Sequence, residues 1–182
     1  SSVALLCVAH AGAQEWTRFR GPDGTGISDA EGIPSSWRED QILWKVRLPG
    51  SGNSQPVVWG EKVFVTCAAA DEHEGTVERT VACLHASTGR VLWTKSYRLS
   101  ALELNPRNLH AASTPAVDAE RAYVAFGSRE AQLLLALDHA GAEAWRYDLG
   151  PFSGEHGTGG SPVVHGDLVI FANEHDGPSH VV

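Results

Sequence analysis

Two short elements recur along this chain at one period, and that recurrence limits the possible folds more than any other feature. The first is a proline followed by an apolar strand, a polar turn and a second apolar strand. It occurs as SQPVVWGEKVFVTC (54–67), STPAVDAERAYVAFG (113–127) and GSPVVHGDLVIFAN (160–173), with Pro56, Pro115 and Pro162 at intervals of 59 and 47 residues. The second is LWKVRL (43–48), LWTKSYRL (92–99) and AWRYDL (144–149), with Trp44, Trp93 and Trp145 at intervals of 49 and 52. Two of these tryptophans follow a glycine by four residues, Gly89 before Trp93 and Gly141 before Trp145. Coincidence does not produce two interleaved elements at a shared period of about 50 residues.

The unit reads as all β. Residues 62–67 alternate, with Val63, Val65 and Cys67 on one face and Phe64 on the other. Residues 133–137 and 168–172 are apolar on both faces, so they must be covered twice, as stacked sheets would do. The bounding turns, Trp59-Gly60-Glu61, Ser87-Thr88-Gly89 and His139-Ala140-Gly141, offer a glycine for the positive φ of a hairpin. Lys95, Arg98, Arg146 and Asp148 charge the last strand of two units, which suits an exposed edge. Each unit is then a four-stranded antiparallel sheet of about 50 residues, the size of a β-propeller blade. The expected layout is a β-propeller with about three blades present: one from Ser54 to Leu99, one from Ser113 to Leu149, and a partial one from Gly160. Trp44 belongs to the strand expected to close the last blade of the ring. Because propellers have roughly 4 to 8 blades, the 182 residues are expected to be a fragment.

The opening residues suggest export. Val3 to Ala9 is a short apolar run, followed by Ala11-Gly12-Ala13 and then the polar Gln14-Glu15. Small residues after an apolar stretch are what a signal peptidase accepts. The domain reading is a signal-peptide remnant over 1–13, a lead-in over 14–53 and blades over 54–182. Leu5 and Leu6 are too large for a lipoprotein site at Cys7. An exported chain would be periplasmic or extracellular, where disulfides can form. Cys67 and Cys83 lie on consecutive expected strands, so a cross-strand pair is conceivable by register, but two buried free thiols are the preferred reading. Lys and Arg total 14 against 22 Asp and Glu, a formal charge of −8. That argues against nucleic acid or an anionic membrane as the main partner. No apolar run approaches the roughly 18 residues of a membrane helix.

The stretch Ala136-Leu137-Asp138, with Gly141-x-x-x-Trp145 after it, resembles the repeat of the pyrroloquinoline quinone (PQQ)-like β-propellers; His85 stands where the first blade would carry the aspartate. WTRFRGPDGTGIS (16–28), Ile33-Pro34, Trp37, LWKVRLPG (43–50), HAASTP (110–115) and HGTGGSPVV (156–164) resemble secreted members of that superfamily from environmental bacteria. The resemblance spans residues 16–182. It implies fold and subfamily, while the superfamily includes quinone-dependent dehydrogenases, outer-membrane assembly lipoproteins and members of unknown role. In a dehydrogenase of this kind PQQ would lie at the channel, calcium would polarise its carbonyl and a carboxylate would act as base on an alcohol or sugar. Alcohol-oxidising members typically carry two adjacent cysteines, and this chain has none adjacent, nor a convincing set of calcium ligands.

The best candidate site is the set of loops before each proline, which would sit at the mouth of the channel. They contain Asn53, Asn108, His110, His156 and Thr158, side chains that supply donors and acceptors beside glycines that let a ligand approach. His110 and His156 are expected to face each other across adjacent blades. Two histidines without a third ligand fall short of a zinc site, so no metal is assigned. Glu174-His175-Asp176 and the run from Asp71 to Glu74 read as solvated loops. The glycine-rich 21–26 lacks the Lys of a phosphate loop, and neither a Gly-x-Ser-x-Gly elbow nor a haem-attachment motif is present. The expected function is an exported, non-enzymatic scaffold whose rim binds a protein or small molecule. The alternatives are a PQQ- and calcium-dependent dehydrogenase of alcohols or sugars, and an assembly factor-like propeller.

Overall fold

The computed structural model describes residues 15–182 except 72 and 155. The expected signal remnant over 1–13, with Cys7, lies outside the described residues.

The described residues are all β apart from one turn of 3-10 helix at Glu39–Gln41. Four strands form the first blade: β1 (Val57–Trp59), β2 (Lys62–Asp71), β3 (Thr76–His85) and β4 (Val91–Ser100), paired in that order. The second blade repeats the order with β5 (Ala116–Val117), β6 (Arg121–Gly127), β7 (Gln132–Asp138) and β8 (Glu143–Asp148). All pairings are antiparallel. The third unit begins with β9 (Val163–His165) on β10 (Leu168–Ile170), and β11 (Ala172–Asn173) pairs with β12 (His180–Val181). Phe171 joins β10 to β11 and exchanges both backbone hydrogen bonds with Val182, so the two short strands act as one interrupted second strand.

Both complete blades carry a bulge at the same point of the repeat. Cys83 opposes Trp93 while Leu84 opposes Val91, and Ala136 opposes Trp145 while Leu137 opposes Glu143. Leu92 and Ala144 are the extra residues. Each bulge follows a turn glycine at positive φ, Gly89 (69°) or Gly141 (91°), and re-aims the tryptophan that comes next.

The blades stack face to face. Val81 and Tyr97 of the first pack with Val124, Phe126, Leu133, Leu135 and Leu137 of the second. Val57, Phe64 and Cys83 meet Val117 and Ala122 across the same interface. The opposite face of the first blade, Val63, Val65, Ala82 and Leu84, is covered by Val46 and Leu48 of the lead-in. Ala125 and Leu134 of the second blade meet Phe171 of the third.

Trp44 and Trp93 latch consecutive layers. A Cβ at Gly89 would lie 2.6 Å from the Trp44 ring, and one at Gly141 would lie 2.7 Å from the Trp93 ring. Trp44 Nε1 donates to the Ala86 carbonyl (2.8 Å) and Trp93 Nε1 to the His139 carbonyl (3.1 Å). Only glycine permits both the positive φ and the close ring contact. Residues 42–48 form no ladder, yet they place Trp44 on the first blade as β4 places Trp93 on the second.

Cys67 and Cys83 are free and buried. Cys67 opposes Thr80 and Cys83 opposes Phe64, so the thiols point to opposite faces of the sheet and the register excludes a cross-strand disulfide. Burial pushes the Cys83 thiol up to about 11 and raises that of Cys67.

Candidate functional site

Each proline-led strand starts at the same end of its blade, and the loops before Pro56, Pro115 and Pro162 gather there. Immediately before each proline the backbone makes a step between blades. The Gln55 N–H donates to Thr114 Oγ1 (3.0 Å), and the Thr114 N–H donates to Ser161 Oγ (3.0 Å). A pre-proline residue is extended, so its N–H has no helical partner, and the hydroxyl of the next repeat supplies one. Thr66 Oγ1, fully buried, donates to the Ser113 carbonyl (3.1 Å) and strengthens the same seam.

Further out, the loops tie to each other. The Asn53 N–H donates to the Ala111 carbonyl (2.9 Å), and Asn53 Nδ2 reaches the Arg107 carbonyl at 3.4 Å. Asn108 uses its amide in both senses. Its Oδ1 accepts from the Leu109 N–H (2.8 Å), while its Nδ2 donates to the His156 carbonyl. A depression of about 350 Å³ lies beside this contact, lined by Asn105, Arg107, Asn108 and His156.

The structure thus brings Asn53, Asn108 and His156 into one band of linked loops. His110 sits deeper: its Nδ1 is buried without a hydrogen-bond partner. Burial, and then the neighbouring Arg79 charge, lower its pKa below the usual imidazole value. Thr158 is 8% exposed and turns away from the depression to pack on Gly127. Among the described residues no group of three or more His, Cys, Asp or Glu side chains converges to hold a metal.

The remaining sequence motifs fold on themselves. Asp71 and Glu74 pair with Arg98 at the tip of the β2–β3 hairpin. In the Glu174-His175-Asp176 turn, His175 Nδ1 accepts from the Gly177 N–H (3.1 Å) and its ring lies 5.8 Å from that of Phe152. In the glycine-rich stretch Asp23 Oδ1 accepts from the Thr25 N–H and hydroxyl (3.1 and 2.9 Å), and these bonds hold its carboxyl below the usual range. Trp16 exchanges backbone bonds with Val58, and the Thr17 carbonyl accepts from the Val117 N–H (2.8 Å), which seats this segment along the β1 and β5 edges of the first two blades.

Arg79 was not singled out by sequence. It is fully buried between the first two blades. Its guanidinium donates to the carbonyls of Gly127 (2.6 Å), Ser100 (3.2 Å) and Val77 (3.4 Å), and Nε has no partner. Burial lowers its pKa to about 10, so it stays charged at neutral pH. The Thr114–Ser161 step was missed as well, although its signal stands in the sequence as the residue before each aligned proline.

A family model described as outer membrane protein assembly factor BamB, built on the PQQ-like repeat, matches residues 36–179. The chain belongs to the PQQ-like repeat family. Among curated proteins it is similar to a polyvinylalcohol dehydrogenase of Pseudomonas sp., 30% identical over 126 residues, which are 69% of this chain and 17% of that protein. Among solved structures it is similar to a quinohemoprotein alcohol dehydrogenase of Pseudomonas putida HK5, with 19% identity, a TM-score of 0.40, and coverage of 64% of this chain and 20% of that one. The chain therefore spans about a fifth or less of the length of these relatives. The PQQ-like repeat corresponds here to the four-stranded antiparallel unit seen twice in full.

Proposed function

We propose that these repeats form part of an exported propeller whose proline-side loops bind a protein or small-molecule ligand without turning it over. The observation that supports this reading is the linkage of three successive loops by Asn53 and by Asn108, the latter reaching the His156 carbonyl. A surface built from loops is ordinarily adaptable; here cross-loop bonds hold it to a fixed shape beside the depression at Arg107. Residues 42–48 act as the outer strand of the blade that precedes the first one, which the Trp44 latch on Gly89 supports. Among the described residues no helix is long and apolar enough to cross a membrane.

The polyvinylalcohol dehydrogenase relative favours a second reading, a PQQ-dependent dehydrogenase. PQQ brings carboxylates and a redox quinone, and would serve as hydride or electron acceptor when bound. The donors at the depression, the Arg107 guanidinium and the Asn105 and Asn108 amides, fit a carboxylate-bearing group. The described residues offer no cluster of carboxylates for calcium, which would have to come from other parts of the ring.

The deciding experiment supplies the full-length protein with PQQ and calcium, then measures dye reduction with polyvinyl alcohol and primary alcohols. The binding reading predicts no alcohol-dependent reduction above the PQQ-free control. Saturable, PQQ-dependent turnover would replace it with the dehydrogenase reading.

A further inference from the structure

The repeat places Arg79 and Gln132 at equivalent positions. Arg79 opposes Ala68, two residues beyond Thr66 on β2; Gln132 opposes Gly127, two beyond Ala125 on β6; and the alignment runs through Phe64 and Tyr123, which pair with the residue after each proline. Both side chains are at least 98% buried and face the following blade. They differ in reach and charge. Arg79 fills its interface with a guanidinium held by the carbonyls of Gly127 and Ser100. Gln132 is shorter, and its Oε1 is buried with no partner.

The interface holding Gln132 contains a cavity of about 280 Å³, lined among others by Gln132, Phe152, Thr158, Phe171 and Glu174. Glu174 is the repeat counterpart of Gly127, and Phe152 that of Ser100. The backbone positions that accept from Arg79 therefore recur in the wall of this cavity. Its side chains add acceptors in the Thr158 hydroxyl and the exposed Glu174 carboxylate, and the orphaned Gln132 Oε1 lies just behind that wall, beside Gly127 and Thr158. The rings of Phe152 and Phe171 complete the wall. Exposed Gly159, Gly160 and Ala172 leave the cavity open to solvent.

We propose that this cavity between the second and third blades is a binding site for a guanidinium group, which takes from outside the place that Arg79 fills from within one interface earlier. The group comes either from a small organic cation or from the arginine of a bound peptide. An acceptor left unpaired and nine-tenths buried costs free energy until a donor reaches it, and a planar five-donor fork satisfies several acceptors at once.

Calorimetry on the full-length protein tests this with methylguanidinium chloride, N-acetyl-arginine amide, and urea as the neutral control of similar shape. The expected result is saturable one-to-one binding of methylguanidinium and none of urea. Gln132→Arg, which supplies the guanidinium covalently, should abolish that binding. Glu174→Gln, a change at an exposed side chain, should weaken it at least about 5-fold, in line with the loss of a charge-assisted hydrogen bond. Tighter binding of the arginine amide would assign the group to a peptide, and binding of methylguanidinium alone would assign it to a small molecule. The absence of saturable methylguanidinium binding, equal binding of urea, or unchanged binding in Glu174→Gln would overturn the proposal.

Discussion

Arg79 shows how one side chain can carry a seam between blades. Its charge has no carboxylate partner within ion-pair distance among the described residues, and its stabilisation comes from backbone carbonyls. Replacing it with methionine keeps the volume but strands the Gly127 and Ser100 carbonyls. The expected cost is roughly 2–4 kcal/mol, since each stranded buried acceptor costs about 1–3 kcal/mol. Urea unfolding of Arg79→Met against wild type measures it. His110 gives a second prediction at this scale. Burial and Arg79 depress its pKa, so the folded state resists a proton that the unfolded chain takes up near pH 6.5. Its contribution to stability is present above that pH and is lost as pH falls toward the depressed folded value. The urea midpoint should drop between pH 7.5 and pH 5.5, and His110→Gln should flatten that drop. The lowered carboxylates of Asp118, Glu130 and Glu143 act at lower pH and leave this window clear.

Elements were legible where pattern alone decides them. The alternation of 62–67 marks the faces of β2, and the glycine turns at Gly60, Gly89 and Gly141 stand at positive φ as their hairpins require. Register was not legible. Cys67 and Cys83 sit symmetrically about Gly75, but Asp71 opposes Thr76, so the β2–β3 hairpin turns about the His73–Glu74 bond instead. That offset puts Thr80, not Cys83, opposite Cys67. The pre-proline step was visible only as a column of Gln55, Thr114 and Ser161. Sequence cannot say that one repeat's N–H finds the next repeat's hydroxyl. Thr114→Val removes the acceptor for the Gln55 N–H and should cost about 1–2 kcal/mol, whereas Thr114→Ser restores it. Thermal unfolding of the two variants separates a lost hydrogen bond from lost packing.

At the scale of the whole molecule, the order of blades was readable and the partnership between them was not. Gly-x-x-x-Trp sets Gly89 before Trp93 and Gly141 before Trp145, and the repeat position marks Trp93 and Trp145 as residues that dock blade on blade without saying on which glycine. In the structure the glycine of one unit receives the tryptophan of the unit before it: Gly89 receives Trp44 and Gly141 receives Trp93. That the loops before the prolines share one end of the blades was readable for a related reason, since the proline period fixes it. The cavity at Gln132 was hidden, because it arises from the difference between two aligned side chains and not from either one. The rim predicts one more outcome. Asn108→Ala should release the loop before Pro162, seen as faster amide exchange around His156, while the blade strands keep their protection.

The latch between successive units underlies the whole arrangement, and a double-mutant cycle on the full-length protein tests it. Gly141→Ala should cost roughly 2–4 kcal/mol by combining left-handed strain with overpacking against the Trp93 ring. Much of that cost should vanish in a Trp93→Leu background, a coupling of about 1–3 kcal/mol. Gly89→Ala should show no comparable coupling to Trp93, because its ring neighbour is Trp44. Coupling of Trp93 to Gly89, with none to Gly141, would contradict the stacking order on which the blades, the rim and the cavity all depend.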